Sequence, residues 1–183
     1  MSGLIVPPGA GRKLVTKAQE VTFKVTGADG SSISFFEVVV PPGFDVGAHT
    51  HQRSQEFFYV LDGELDLLAF EPVDRTEESW YDWKSAAGDR AVRASAGSCM
   101  FIPPGTPHAF RNSTDKPARM LFQSYPSPDH ERYFEEICEI FSAGRTVSSD
   151  AVQKLRDSYD VQQITPLRYG PPVPQNSPAA RGA

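Results

Sequence analysis

Three of the four histidines in this chain fall in two short stretches that lie far apart in sequence. The first is Gly43-Phe-Asp-Val-Gly-Ala-His49-Thr-His51-Gln-Arg-Ser-Gln-Glu56-Phe-Phe-Tyr-Val-Leu-Asp-Gly63. The second is Gly97-Ser-Cys-Met-Phe-Ile-Pro103-Pro-Gly105-Thr-Pro-His108-Ala-Phe-Arg-Asn112. A single metal ion bound by His49, His51, Glu56 and His108 requires a fold that brings both stretches to one point. His49 and His51 are two apart, so on a strand both imidazoles face the same way. Glu56 has the wrong parity to continue that strand. Residues 52–55 must therefore bend the chain and Glu56 must open a neighbouring strand. Residues 103–107 carry three prolines and cannot extend a central ladder, so they read as a turn that delivers His108 onto the next strand.

Three imidazoles and a carboxylate make a nitrogen–oxygen shell that suits iron, manganese, nickel, copper, cobalt or zinc. No cysteine joins the set, which argues against a closed thiolate zinc site. Four protein ligands on an octahedral ion leave two positions for water, substrate or dioxygen, as a catalytic site requires. A lone H-x-H occurs by chance on surface strands, whereas the two stretches together specify ten positions at fitting spacings. His130 lies outside both and reads as a solvent-facing residue at a helix start.

Strand-like runs occupy residues 20–26, 33–40, 57–61, 65–70, 98–102, 107–112 and 119–125, separated by turn residues. Asp62-Gly63 between two of them reads as a tight hairpin turn. No strand–helix alternation suggests a parallel sheet, so the expected class is an all-β sandwich or barrel. Beyond Tyr125 the pattern becomes helical. Ser127-Pro128 can start a helix carrying Tyr133, Phe134, Ile137, Cys138 and Phe141, and Gly144 can end it. A second helix over 149–159 has Val152, Leu155 and Tyr159 on one face. These stripes read as packing surface, with a dimer contact as the alternative. The expected organisation is an N-terminal arm over 1–12, a β-barrel over 13–126, a helical segment over 127–167 and a disordered tail over 168–183.

A chain of 183 residues suffices for one domain with a real core. Its net charge of −5 and lack of a basic stripe argue against nucleic acid as a partner. No apolar run approaches the roughly 18 residues that span a bilayer. The N-terminus does not read as a signal peptide. With two distant cysteines, Cys99 and Cys138, the reading is a reduced cytoplasmic protein, although one bridge remains compatible with the sequence.

The two stretches resemble the motifs of the cupin superfamily. Gly43, His49, His51, Glu56 and Gly63 match the first motif without a gap, and Gly97, Pro103, Gly105, His108 and Asn112 match the second. The resemblance implies a small antiparallel jelly-roll barrel followed by one or two C-terminal helices. It also implies that His49, His51, Glu56 and His108 hold one divalent transition metal, and that Asn112 is structural. The single barrel followed by a helix resembles single-domain cupins related to quercetin 2,3-dioxygenase. That narrower resemblance implies a dioxygenase acting on an aromatic or enol-type small molecule, with Glu56 as both ligand and proton acceptor. An oxygen-independent isomerase, lyase or cyclase uses the same ligands, and a non-catalytic binding cupin is the third alternative. Phe58, Val60, Met100, Ile102 and Phe110 are the expected pocket lining. The 33 residues between Gly63 and Gly97 carry Trp80 and Trp83, which read either as a lid over the substrate or as a cover for the barrel edge. Exposed barrel edges invite a homodimer.

Overall fold

Alternation along the strands decides which side chains meet. The computed structural model describes residues 3–16, 18–126, 129–142 and 149–169. In β3 (Ser34–Val40) every second residue is buried: Ser34, Phe36, Val38 and Val40. β5 (Gln55–Asp62) buries Glu56, Phe58 and Val60, and β10 (Ala118–Tyr125) buries Ala118, Met120, Phe122 and Ser124. With β1 (Arg12–Val15), β2 (Glu20–Val25) and β8 (Cys99–Ile102) these form a six-stranded sheet in the order β1-β2-β3-β10-β5-β8. The facing sheet runs β11-β4-β9-β6-β7, from β4 (His49–Thr50), β6 (Glu64–Ala69), β7 (Val92–Ser95), β9 (His108–Arg111) and β11 (Gln162–Gln163). All named pairings are antiparallel. The chain is a jelly-roll barrel whose core lies between the sheets, as the strand pattern and the resemblance imply.

The expected hairpin at Asp62-Gly63 is not one. β5 pairs with β10 and β8, whereas β6 pairs with β7 and β9. Gly63, at φ 76°, instead turns the chain from one sheet into the other. A Cβ there would lie 2.9 Å from the Cα of Ala118, so the corner requires glycine for space as well as for conformation. The dipeptide correctly signals positive φ, but the same turn chemistry serves a barrel corner.

Two helices follow the barrel. α1 (His130–Ser142) lays Phe134, Ile137 and Phe141 on the barrel core, with Phe134 edge-on to Phe36 at 5.1 Å between centroids. α2 (Ser149–Ser158) adds Leu155 to the same core. The expected start at Ser127-Pro128, the expected stop at Gly144 and residues 170–183 of the expected tail lie outside the described residues. After the turn at Asp160 the chain forms β11 instead of continuing the expected helical segment, and Arg168, expected in a disordered tail, is bridged to Asp45. Gln162 and Gln163 pair with Thr50 and His49, and Arg168 exchanges backbone hydrogen bonds with Asp45.

Residues 71–91 form no strand. Trp80 and Trp83 pack with Ala48, Leu68 and Ala109 in a separate apolar cluster. Those three residues alternate with His49, Leu67 and Phe110, so the cluster covers the sheet face turned away from the barrel interior. Buried Asp45 anchors it, accepting from Trp80 Nε1 at 2.9 Å, from the Tyr81 hydroxyl and from the Gly47 N–H at 2.8 Å. Trp80 and Trp83 thus cover the outer face of this sheet rather than its edge, and neither borders the internal cavity.

On the same sheet Asp66 joins three strands, accepting from Arg93, from Arg111 at 2.7 Å and from Ser113 at 2.7 Å. Burial raises its pKa, yet these donors outweigh burial and hold it below the ordinary aspartate value. The folded carboxyl therefore takes a proton less readily than the unfolded one. Its stabilisation is complete above about pH 4 and disappears as pH falls further. Urea titrations should find Asp66→Asn less stable by about 1–3 kcal/mol at pH 7. They should also show a shallower loss of stability on acidification than in the wild type. Equal stability at neutral pH would contradict this account.

Candidate metal centre

The barrel brings the four expected ligands together. His49 on β4 stands directly opposite His108 on β9, with ring centroids 4.2 Å apart. His51 lies one residue beyond β4, and Glu56 is the second residue of β5 in the facing sheet. The parity argument holds, since residues 52–54 carry the chain from one sheet to the other. One ligand atom from each of the four residues lies within 4.8 Å of the others, and all four side chains are buried. The turn before His108 is tied in as expected: the Gly105 N–H donates to the His51 carbonyl at 2.6 Å.

Each imidazole is aimed by its other nitrogen. His49 Nδ1 lies 2.9 Å from the Gly47 carbonyl, His51 Nδ1 2.9 Å from the Asp160 carbonyl and His108 Nδ1 3.0 Å from the Thr106 carbonyl. A carbonyl only accepts, so each Nδ1 carries the hydrogen and each Nε2 is the atom turned to the centre. This is the arrangement of metal-binding histidines. The donor set thus fits a divalent transition metal.

Local sequence explains two of these carbonyls. Gly47, at φ 73°, has no room for a Cβ against the carbonyls of Thr165 and Pro166 and the Gln163 side chain. Only glycine lets the β11 segment close over the turn that holds His49. Asp160, at φ 60°, reverses the chain after α2. Its carbonyl then faces His51, while its carboxylate accepts from the Gln52 and Arg53 N–H groups at 3.2 and 2.9 Å.

Charge at the centre is concentrated on Glu56. Its Oε1 lies 3.1 Å from His51 Nε2 and 3.4 Å from His130 Nε2, and its Oε2 lies 3.1 Å from His108 Nε2. Burial pushes its carboxyl up, but the three imidazoles outweigh burial and hold it well below the usual range. Burial lowers His51, and Glu56 with the Asp160 carbonyl more than reverses that. His49 is held well below the ordinary imidazole value by burial first and then by His108 and His51, with Arg156 adding to the effect.

The centre opens onto an internal cavity of about 80 Å³ bordered by His49, His51 and Glu56. Of the expected lining, Phe58 and Phe110 border it. Val60, Met100 and Ile102 are buried in the barrel core but do not line the cavity, because Met120, Phe122 and the helix residues Phe134 and Ile137 fill that perimeter. Asn112 is structural as expected, donating to the Val40 and Lys116 carbonyls at 2.9 and 2.7 Å and accepting from Thr114.

His130 is the main correction. It is 5% exposed rather than solvent-facing, it lines the cavity, and its Nδ1 has no hydrogen-bond partner. The signal was present, since His130 precedes Phe134, Ile137 and Phe141 by four, seven and eleven residues on the apolar stripe of α1. Arg156 was missed in the same way. It lies among Val152, Leu155 and Tyr159 on α2, is 2% exposed and lines the same cavity.

The cupin family model matches residues 9–154. An uncharacterized protein of Methanocaldococcus jannaschii is 30% identical over 106 residues, covering 56% of this chain and 67% of that protein. A putative germin-like protein 9-2 of Oryza sativa subsp. japonica is 34% identical over 108 residues, covering 58% of this chain. The match spans 43% of the germin-like protein, less than half its length. The solved structure of KdgF from Halomonas sp. superposes with a TM-score of 0.54 at 15% identity, covering 71% of this chain and 99% of that one. At that identity the likeness concerns the fold.

The geometry predicts about one transition-metal ion per chain by elemental analysis, and its loss on acidification below about pH 6 as imidazoles take protons. His108→Ala should retain the fold by circular dichroism and lose most of the metal. Full occupancy in that variant would show that the ion sits elsewhere.

Proposed function

The chain belongs to the cupin family, and within it we propose a metal-dependent oxidoreductase that uses dioxygen on a small enol-type molecule. The observation that carries this reading is a cluster of three oriented imidazoles and one carboxylate, of which His49, His51 and Glu56 border a largely apolar cavity. His49, His51, Glu56 and His108 would hold the metal, which when bound supplies Lewis acidity and, if redox-active, electron transfer.

The chain's own groups handle the proton. Glu56 was the expected proton acceptor, but both its oxygens already face imidazoles, Oε1 towards His51 and His130 and Oε2 towards His108. His130 Nε2 lies 3.4 Å from Glu56 Oε1, and a hydrogen on that nitrogen would point at the carboxylate. In the neutral ring His130 Nδ1 then carries a lone pair with no partner beside the cavity. We assign proton abstraction to that atom and the ligand role to Glu56. The apolar walls from Phe58, Phe110, Phe122 and Phe134 exclude water around it.

Size narrows the substrate. The cavity, at about 80 Å³, is smaller than the roughly 150 Å³ that accommodates benzene. A small enol or enolisable compound suits this volume best, and the reading commits to one. Oxygen-independent isomerisation, lyase chemistry or cyclisation is the second reading, because a Lewis acid and the His130 base suffice for it.

Metal-loaded protein should consume oxygen with a small enolisable substrate. His130→Ala should keep its metal and lose about a hundredfold or more in kcat, whereas Glu56→Ala should lose the metal itself. Undiminished turnover under strict anaerobiosis would favour the oxygen-independent reading. Unchanged kcat in His130→Ala would remove His130 from the chemistry.

A further inference from the structure

A guanidinium keeps its charge in proteins, so its burial without a counter-charge is costly unless something else supplies one. Arg156 is 2% exposed, and its Nε has no hydrogen-bond partner. No described acid lies within ion-pair distance of it, and the residues outside the described set include no aspartate or glutamate. Glu56 is the sole acid among the cavity-lining residues, and its two oxygens face His51, His108 and His130. The positive charge at the cavity wall is therefore unpaired among the described residues.

We propose that the cavity binds a small carboxylic acid whose carboxylate pairs with Arg156. This deepens the reading of the barrel as an enzyme and rests on it. A carboxylate offers two oxygens to a guanidinium, the pairing that this side chain forms best. An uncharged ligand of the same size leaves Arg156 buried and unpaired. Arg156 Nε and His130 Nδ1, from two helices, each lack a hydrogen-bond partner and border the same space as His49, His51 and Glu56. The carboxylate end then takes the arginine, and the rest of the molecule occupies the cavity beside the metal ligands. This also accounts for an arginine on the apolar stripe of α2, where a leucine would pack at lower cost.

The test uses the metal-loaded full chain with pyruvate and its uncharged analogue pyruvamide as probes, read by calorimetric titration. Pyruvate should bind about tenfold to a hundredfold more tightly than pyruvamide in the wild type. Arg156→Gln should abolish that preference, and Arg156→Lys should retain part of it. Equal binding of the two probes by the wild type, or an undiminished preference in Arg156→Gln, overturns the proposal. Should Arg156→Gln fail to fold, the wild-type comparison decides alone. Carboxylate preference through Arg156 without any oxygen consumption would leave this inference standing and remove the dioxygenase reading. Oxygen consumption without carboxylate preference would do the reverse.

Discussion

Three hydrogen bonds from imidazole Nδ1 to backbone carbonyls set the chemistry of this barrel. They fix which nitrogen of His49, His51 and His108 carries hydrogen, and so which nitrogen is left to converge on Glu56. A histidine free to rotate or to change tautomer places its lone pair at random. One held by a carbonyl presents it at a fixed point. The carbonyls come from Gly47, Thr106 and Asp160, which belong to three separate loops. The site therefore depends on the fold as a whole, and least on β4 itself, which is two residues long.

The segment after the barrel is part of the site. α1 contributes His130, α2 contributes Arg156, and the reversal at Asp160 supplies the carbonyl that aims His51. The β11 strand then lies along β4, and Gly47 is the residue that lets it approach. In this chain the barrel supplies the candidate metal ligands. The C-terminal helices supply His130, whose Nδ1 has no hydrogen-bond partner, and Arg156, whose Nε has none, where the proposed discrimination among small acids would reside.

Much of this was legible in the sequence because strand periodicity and ligand spacing are local signals. The H-x-H pair, the parity break before Glu56 and the proline turn before His108 each constrain geometry over a few residues, and the structure follows all three. The turn at Gly63 was legible as a positive-φ corner but not as a change of sheet, because which strands pair is decided by partners far along the chain. The roles of Trp80 and Trp83 were undecidable for a similar reason: either face of a barrel offers apolar surface. His130 and Arg156 were misread or passed over because a polar residue in an apolar helical stripe looks like an exception to it. Such an exception is the pattern to look for where a helix closes over a polar centre.

X-ray absorption at the metal edge of the loaded protein tests the central claim most directly. The account predicts a first shell of three imidazole nitrogens and one carboxylate oxygen at about 2.0–2.2 Å, completed by water and without sulfur. A shell of fewer than three imidazoles, or one containing thiolate from Cys99 or Cys138, would contradict it.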